Sequence, residues 1–427
     1  MINKWRISFA PPRVVFNKRR VVLEGGEIMY TLRSEIHIIK KNHRLFEYCD
    51  QMCFKSKNLY NYANYIIRQE FINNNNLVSA FDLNKDLKNE DVFRALPAKT
   101  SQQILIGLGR NWKSYFKSIK DWAKNQGKYT GKPKLPKYKD KEGRNVVYFD
   151  YQQGTLKEGK YKFPKSDYYI ETEVQKEDFR QVQIFPYGTC YKISLIYRVK
   201  TNENKEINSN YLAIDLGIDN LATLTNSIGK SSIVINGRIL KSINQFYNKK
   251  LAKLRSHIGR GTSNRIKALN MKRNNIVETH FHRTSRYIIN YCVENDISNI
   301  VIGRNKDWQR NSNMKKKTNQ KFVSIPFEML IYQLKYKAED VGINMTVIEE
   351  QYTSKSSFVD NDSIPTKFGD HQFSGKRIKR GLYKSKDGTL INADVNGSYN
   401  ILRKCNPEFK YDGIEGVSLH PIRVNIL

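Results

Sequence analysis

The chain runs to 427 residues, long enough for about two or three domains with cores of their own. Hydrophobic residues make up 39% of it, while 74 Lys and Arg against 41 Asp and Glu leave a formal charge of +33. This excludes a disordered chain, the absence of any apolar run near about 18 residues argues against a membrane span, and the excess charge, interleaved with 26 Tyr and 20 Phe, predicts a protein that lies along a polyanion.

The N-terminus lacks the apolar core of a signal peptide, so the chain reads as cytosolic. Its cysteines, Cys49, Cys53, Cys190, Cys292 and Cys405, form no C-x-x-C pair. Neither a disulfide framework nor a zinc ribbon is expected, and Cys49 and Cys53 read as core thiols on one helix face.

Residues 1–28 read as an extension, with Pro11-Pro12, a basic patch at Lys18-Arg19-Arg20, and Glu24-Gly-Gly-Glu27 just before Met29. The purine-rich codons usual for that last stretch would serve as a ribosome-binding site, which makes Met29 a candidate natural start. Tyr30 to Lys41 is strand-like. From Asn42 to about Asn73, Leu45, Met52, Leu59 and Ile66 recur every seven residues with Cys49, Ser56 and Ala63 between them, which predicts a helix with a narrow apolar stripe. A second helix is expected after Leu96-Pro97, through Ile104, Leu108, Trp112, Phe116 and Ile119. Gly131-Lys132-Pro133-Lys134-Leu135-Pro136-Lys137 is broken by its prolines and reads as an extended basic linker. Short strands at Val146–Phe149 and Tyr191–Val199 join Tyr30–Lys41 in a small barrel-like domain that the helical lobe interrupts.

Tyr211-Leu-Ala-Ile-Asp215-Leu-Gly217-Ile-Asp219-Asn220 predicts a strand, a tight turn and a second strand. Leu212, Ile214 and Leu216 share one face, Ala213 and Asp215 the other. A carboxylate in an apolar strand is costly unless it is neutralised, hydrogen-bonded or bound to a cation, so Asp215 asks for a functional reason. Asp219 reads as an ordinary turn residue. Ser231–Ile235 predicts a third strand, Ile243 to about Arg273 and Asn275 to Glu294 two long basic helices, and Asn299–Ile302 a buried strand ending at Gly303. An amphipathic helix through Phe327, Leu330, Leu334 and Val341 and a fifth strand, Met345 to Glu350, complete a βββ-α-β-α-β-α order. Asp394 then falls in the first turn of a last helix, where by itself it would only complement the helix dipole.

Several stretches, in this order and spacing, carry a family resemblance: Leu96-Pro-Ala-Lys-Thr-Ser-Gln-Gln103, Lys132-Pro-Lys-Leu-Pro-Lys137, Ala213-Ile-Asp-Leu-Gly217, His282-Arg-Thr-Ser-Arg286, Gln351-Tyr-Thr-Ser-Lys355 and Asn392-Ala-Asp-Val-Asn-Gly-Ser-Tyr-Asn400. The chain resembles the TnpB (OrfB) family, transposon-encoded RNA-guided DNA endonucleases related to compact type V CRISPR effectors. The resemblance implies an α+β multidomain fold: a β-barrel wedge domain (29–41 and 131–210), a helical recognition lobe (42–130) and an RNase H-like RuvC nuclease domain (211–427). It implies a guide RNA and target double-stranded DNA beside a short flanking motif as partners, with two Mg²⁺ ions held by carboxylates. On this reading Asp215 and Asp394 are metal-holding catalytic residues, Asn396 and Asn400 stand behind Asp394, and Lys134, Lys137, Arg377 and Arg380 contact nucleic acid.

Two departures from the family pattern change the expectation. The usual carboxylate ending the fourth nuclease strand is missing, because Val301-Ile302 runs into Gly303. The fifth strand lies beside the fourth at about 4.8 Å, so a glutamate at its end reaches the vacated place. Glu349 and Glu350 point to opposite faces, and Glu350 is the chosen ligand, as in a branch of the family that shares Gly-x-Asn-x-x-Trp and Glu-x-Tyr-Thr-Ser. The zinc-ribbon cysteines are missing too, and residues 355–391 read as a zinc-free basic hairpin closed by an Asp387-Gly388 turn. Trp308 reads as core packing. The alternative function is a guided DNA-binding protein, repressor or adaptor, that does not cut.

Overall fold

In a computed structural model, residues 19–23, 26–200, 207–259, 261–304, 324–367, 369–412 and 419–426 are described, so Trp308 and the first part of the N-terminal extension lie outside them. The chain divides into two compact units, Met1–Lys200 and Thr201–Leu427. Among the described residues no helix is long and apolar enough to cross a membrane.

The first unit holds β1 (Arg19–Leu23), β2 (Gly26–Ile39), β3 (Val147–Asp150), β4 (Thr155–Lys157), β5 (Lys160–Lys162), β6 (Tyr169–Glu171), β7 (Phe179–Tyr187) and β8 (Cys190–Lys200). Its main sheet is antiparallel in the order β1-β2-β8-β7-β3, and β4-β5-β6 form a small second sheet. β1 pairs with the start of β2, so the strand foreseen from Tyr30 opens earlier, at Gly26. Between β2 and β3 the chain leaves the sheet to build α1 (Phe46–Asn74), α2 (Ala80–Leu87), α3 (Asp91–Arg94) and α4 (Ala98–Lys124).

Most of the seven-residue stripe of α1 is buried, Leu45, Cys49, Met52, Ser56, Leu59 and Ala63 lying inside, but at its end Ile66 is half-buried and Ile67 takes the inner place. Trp112 of α4 is buried against Phe71 and Phe116 and donates its indole N–H to Asn64 Oδ1 at 3.0 Å. The two helices also close on the sheet, Ser56 donating to Val146 O at 2.6 Å and Thr100 to Tyr148 O at 2.8 Å. The basic linker carries no regular element, as its prolines require, but it is not loose. Asn61 brackets Lys139, accepting from its N–H at 2.8 Å and donating to its carbonyl at 2.9 Å, and Asn64 donates to Pro136 O at 3.1 Å. The asparagines of α1 thus supply the backbone partners that the linker cannot find in a ladder.

The second unit holds β9 (Tyr211–Leu216), β10 (Asn220–Asn226), β11 (Ile233–Asn236), β12 (Asn299–Gly303), β13 (Asn344–Ile348), β14 (Lys376–Lys379), β15 (Leu382–Lys384), β16 (Leu390–Asn392) and β17 (Ile422–Val424). Its helices are α5 (Arg238–Ile258), α6 (Asn264–Glu294), α7 (Phe327–Asp340) and α8 (Ala393–Cys405). The sheet order is β13-β12-β9-β10-β11-β17, with β9, β10 and β11 antiparallel and β12, β13 and β17 each parallel to a neighbour. One face packs Leu212, Ile214 and Leu216 on α6 and α7, and the other packs Ala213 and Val301 on Ile401 and Leu402 of α8.

The break between the long helices falls at 259–263, not near residue 274. Gly259 and Gly261 take positive φ, 63° and 100°, and Ser263 caps α6 by accepting from Ile266 N. The hydrophobic pattern alone ran across this turn; Gly-Arg-Gly-Thr-Ser was the local signal that ends a helix and starts another. The insertion after β13 is a three-stranded antiparallel sheet, β14-β15-β16. The Asp387-Gly388 turn closes its second hairpin, with Asp387 accepting from Ser385 and Thr389 and Gly388 at φ 95°.

Candidate active site

Asp215 is the one acid on β9, and it points to the side where Ala213 meets α8. Gly397 of α8 allows a close approach there, since a Cβ on it would lie 3.2 Å from Asp215 Oδ2. Asp394 arrives from the first turn of the same helix. Asn392 caps that turn by accepting from the N–H groups of Asp394 and Val395 at 3.0 and 3.2 Å. Asp394 Oδ2 in turn accepts from Asn220 Nδ2 at 2.6 Å, and Arg377 Nη2 stands 3.8 Å from Oδ1.

Glu350 comes from just beyond β13. Its Oε2 lies 3.1 Å from the point where a Cβ on Gly303 would be. Ile401 Cδ1 and Cγ1 lie closer to that point, the latter at 2.8 Å, so the space at the end of β12 is filled mainly by Ile401 with the Glu350 carboxylate beside it. Lys404 of α8 donates to Glu349 O at 3.0 Å and Gln351 O at 2.9 Å, holding the backbone on both sides of Glu350. Glu349 is exposed.

Burial first, then repulsion from Glu350 and Asp394, holds the Asp215 carboxyl well above the usual carboxylate range, with Arg377 opposing. Burial lifts Glu350 to about 7 against the pull of Lys404. Asp215 feels both of the other acids, and it and Glu350 are pushed toward their neutral forms, an arrangement that a cation would relieve. The donor set is all carboxylate oxygen, which suits a hard cation such as Mg²⁺. Among the described residues, no group of three or more His, Cys, Asp or Glu side chains stands close enough to hold a metal ion.

Asn396 and Asn400 do not stand behind Asp394. Asn396 accepts from Phe358 N at 2.9 Å and donates to Ser356 O at 2.8 Å, while Asn400 donates to Thr353 O at 2.9 Å and Ser356 O at 2.7 Å. Two residues on, a helical side chain points some 200° away from Asp394, so Asn396 faces the chain that follows Glu350 instead. Both amides lock that segment onto α8. Arg380 pairs with Asp219, which also takes Lys241 Nζ at 2.6 Å. The turn residue thus ties the basic hairpin to α5. In the first unit Lys134 and Lys137 are exposed, and Lys134 lines a groove with Tyr60, Asn111, Ser114, Tyr115 and Ser118.

Sequence reasoning missed Asn220, Lys404 and Gly397. Asn220 was legible only as a turn residue beside Asp219, and Lys404 as a helix-end cation. Gly303 gave the clearest signal, as a glycine where a carboxylate was expected. Gly303→Ala is expected to keep the fold, shift the buried tip of Ile401, displace Glu350, and lower any metal-dependent cutting by at least about tenfold, roughly 1.4 kcal/mol. Cleavage rate and melting temperature measured together check this.

A family model described as "Probable transposase" (OrfB_IS605) matches residues 194–309, and one described as "Cas12f1-like, TNB domain" matches residues 327–401. No curated protein sequence matches the chain. Among solved structures, a Cas12f1-sgRNA-target DNA complex is similar at 16% identity and TM-score 0.49, covering 84% of this chain and 82% of that one. The mini-RNA-guided endonuclease CRISPR-Cas_phi3 is similar at 10% identity and TM-score 0.39, covering 89% and 93%. With β9 and β12 inside the first matched segment and Glu350 and Asp394 inside the second, the chain is similar to the OrfB_IS605 transposases over 194–309 and to the Cas12f1-like TNB domain over 327–401.

Proposed function

We propose that the chain is an RNA-guided DNA endonuclease that cuts target DNA by Mg²⁺-dependent phosphodiester hydrolysis, with Asp215, Glu350 and Asp394 as its catalytic carboxylates. The observation that carries this reading is that the Glu350 carboxylate lies beside Gly303 and that Glu350 and Asp394 both act on the Asp215 carboxyl. The sheet order, three antiparallel strands followed by two parallel ones entered through helices, supports an RNase H-like (RuvC) domain.

In this reading Asp215, Glu350 and Asp394 would hold two Mg²⁺ ions, which when bound would ease deprotonation of a water and neutralise charge on the leaving oxygen. The chain's own residues set the stage. Asn392 and Asn220 aim Asp394, Lys404 fixes the backbone at Glu350, and Arg377 brings positive charge to the flank where a phosphate would lie. Guide pairing selects the target, while the wedge domain (29–41 and 131–210) and helical lobe (42–130) hold backbone and a short flanking motif, Lys134 and Lys137 on phosphate. Residues 355–391 serve as the zinc-free insertion.

The protein expressed beside its native flanking DNA is expected to copurify with RNA of discrete sequence and to cut a plasmid matching that RNA in Mg²⁺ but not in EDTA. Protein free of RNA would overturn the guided reading. Intact guided binding with no cutting would favour the second one, a non-cutting repressor or adaptor, for which the approach of Arg377 to Asp394 is the supporting observation.

A further inference from the structure

α5 leaves the rim of the carboxylate site. Gly237, at its start, donates its N–H to Asp219 O at 2.9 Å, and Lys241 one turn on reaches the Asp219 carboxylate. The next residue, Asn220, holds Asp394. From this rim α5 runs through Lys253 for about 22 Å.

Its two faces differ sharply. The inner one, Leu240, Asn244, Tyr247, Leu251 and Leu254, turns to α6: Arg273 donates to Asn244 Oδ1 at 2.9 Å, and Tyr247 donates to Asn270 Oδ1 at 2.8 Å. The outer one is exposed and reads Ser242, Phe246, Lys249, Lys250, Lys253 and His257, at helical spacing. Not one Asp or Glu stands between Asp219 and Glu278. Ahead of these lysines, toward the start of α5, Phe246 is 59% exposed, with Lys250 Nζ 5.5 Å from its ring centroid. A phenyl ring left in water on a helix that already has an inner apolar face adds nothing to packing. Lysines beside an exposed aromatic ring are the parts that bind unpaired polynucleotide, the ammonium groups following the backbone and the ring stacking on a base.

We infer that the outer face of α5 is a platform for single-stranded DNA, on which Phe246 stacks a base while Lys249, Lys250 and Lys253 hold the phosphates of the strand leading to the carboxylates. DNA is the assigned occupant because the stripe is continuous with the candidate cutting site through Asp219 and Lys241. The assignment rests on the proposed function for its direction, but binding to the stripe is measured without any cutting.

The test uses the full-length Asp215→Ala protein, stripped of RNA, and fluorescently labelled oligo(dT), oligo(U) and a random-sequence DNA duplex at fixed salt. Phe246→Ala is expected to weaken oligo(dT) binding about tenfold, with Phe246→Trp restoring it and the duplex affinity unchanged. The triple Lys249→Gln, Lys250→Gln, Lys253→Gln variant is expected to flatten the salt dependence for oligo(dT). Unchanged oligo(dT) affinity in Phe246→Ala, or equal losses on the duplex, overturns the platform. A Phe246-dependent preference for oligo(U) overturns the assignment to DNA. Because α5 is judged by binding alone, these outcomes stand apart from a failure to cut, which would bear on the carboxylates.

Discussion

Glu350→Gln is expected to bind guide and target as the parent does and to lose cutting by at least about a thousandfold, roughly 4 kcal/mol in the barrier. Glutamine keeps the shape that rests against Gly303, so the packing of Ile401 and the backbone clamp by Lys404 survive. What disappears is the negative charge. That charge is held in a buried place at a cost, as its pKa of about 7 records, so its removal should leave the fold as stable or more so. A loss of rate without a loss of stability separates function from folding. Glu349→Gln is the control, since Glu349 is exposed and only its carbonyl meets Lys404. If Glu349→Gln abolished cutting and Glu350→Gln did not, the role would belong to the neighbour. Single-turnover cleavage, equilibrium binding and thermal unfolding of the three proteins provide the comparison.

How far the site was legible follows from the range of each signal. Asp215 was visible because strand alternation is local: one acid among apolar neighbours needs only a period of two. The central strands and the α1 stripe were visible because their patterns, though of different period, are also local. Glu350 needed one further step, that adjacent parallel strands end near each other, and Gly303 supplied the gap. The partners of Asp394 were beyond reach, because Asn220 lies far from it in sequence and its amide orientation depends on the whole sheet. Asn396 and Asn400 show the opposite failure: spacing on a helix says which residues share a face, but not which neighbour that face meets. The small sheet β4-β5-β6 and the short helices α2 and α3 were missed because three to eight residues carry too little periodicity to read.

The His282-Arg-Thr-Ser-Arg286 stretch finds its physical role away from the carboxylates, in the helix pair that backs their sheet. Lys337 of α7 is only 4% exposed and donates to His282 O at 2.8 Å and Ser285 Oγ at 2.6 Å. Burial, then Arg286, lowers its pKa from the ordinary 10.5 to about 7, with Asp340 opposing. Across the pH range between those values the unfolded chain holds a proton that the folded chain has released. Stability therefore rises with pH through that window, and below about 7 the folded protein bears the cost of a buried ammonium in full. Lys337→Met keeps the length of the side chain and removes the charge, and Ser285 keeps its own bond to Phe281 O at 2.8 Å. The variant is thus expected to be more stable than the parent at pH 6.5, by on the order of 2 kcal/mol after discounting the two lost hydrogen bonds. That advantage should shrink steadily toward pH 10. Urea unfolding of both proteins at pH 6.5, 8 and 9.5 checks it, and parallel curves at all three would mean that the lysine titrates normally and that α6 and α7 are held by their apolar faces alone.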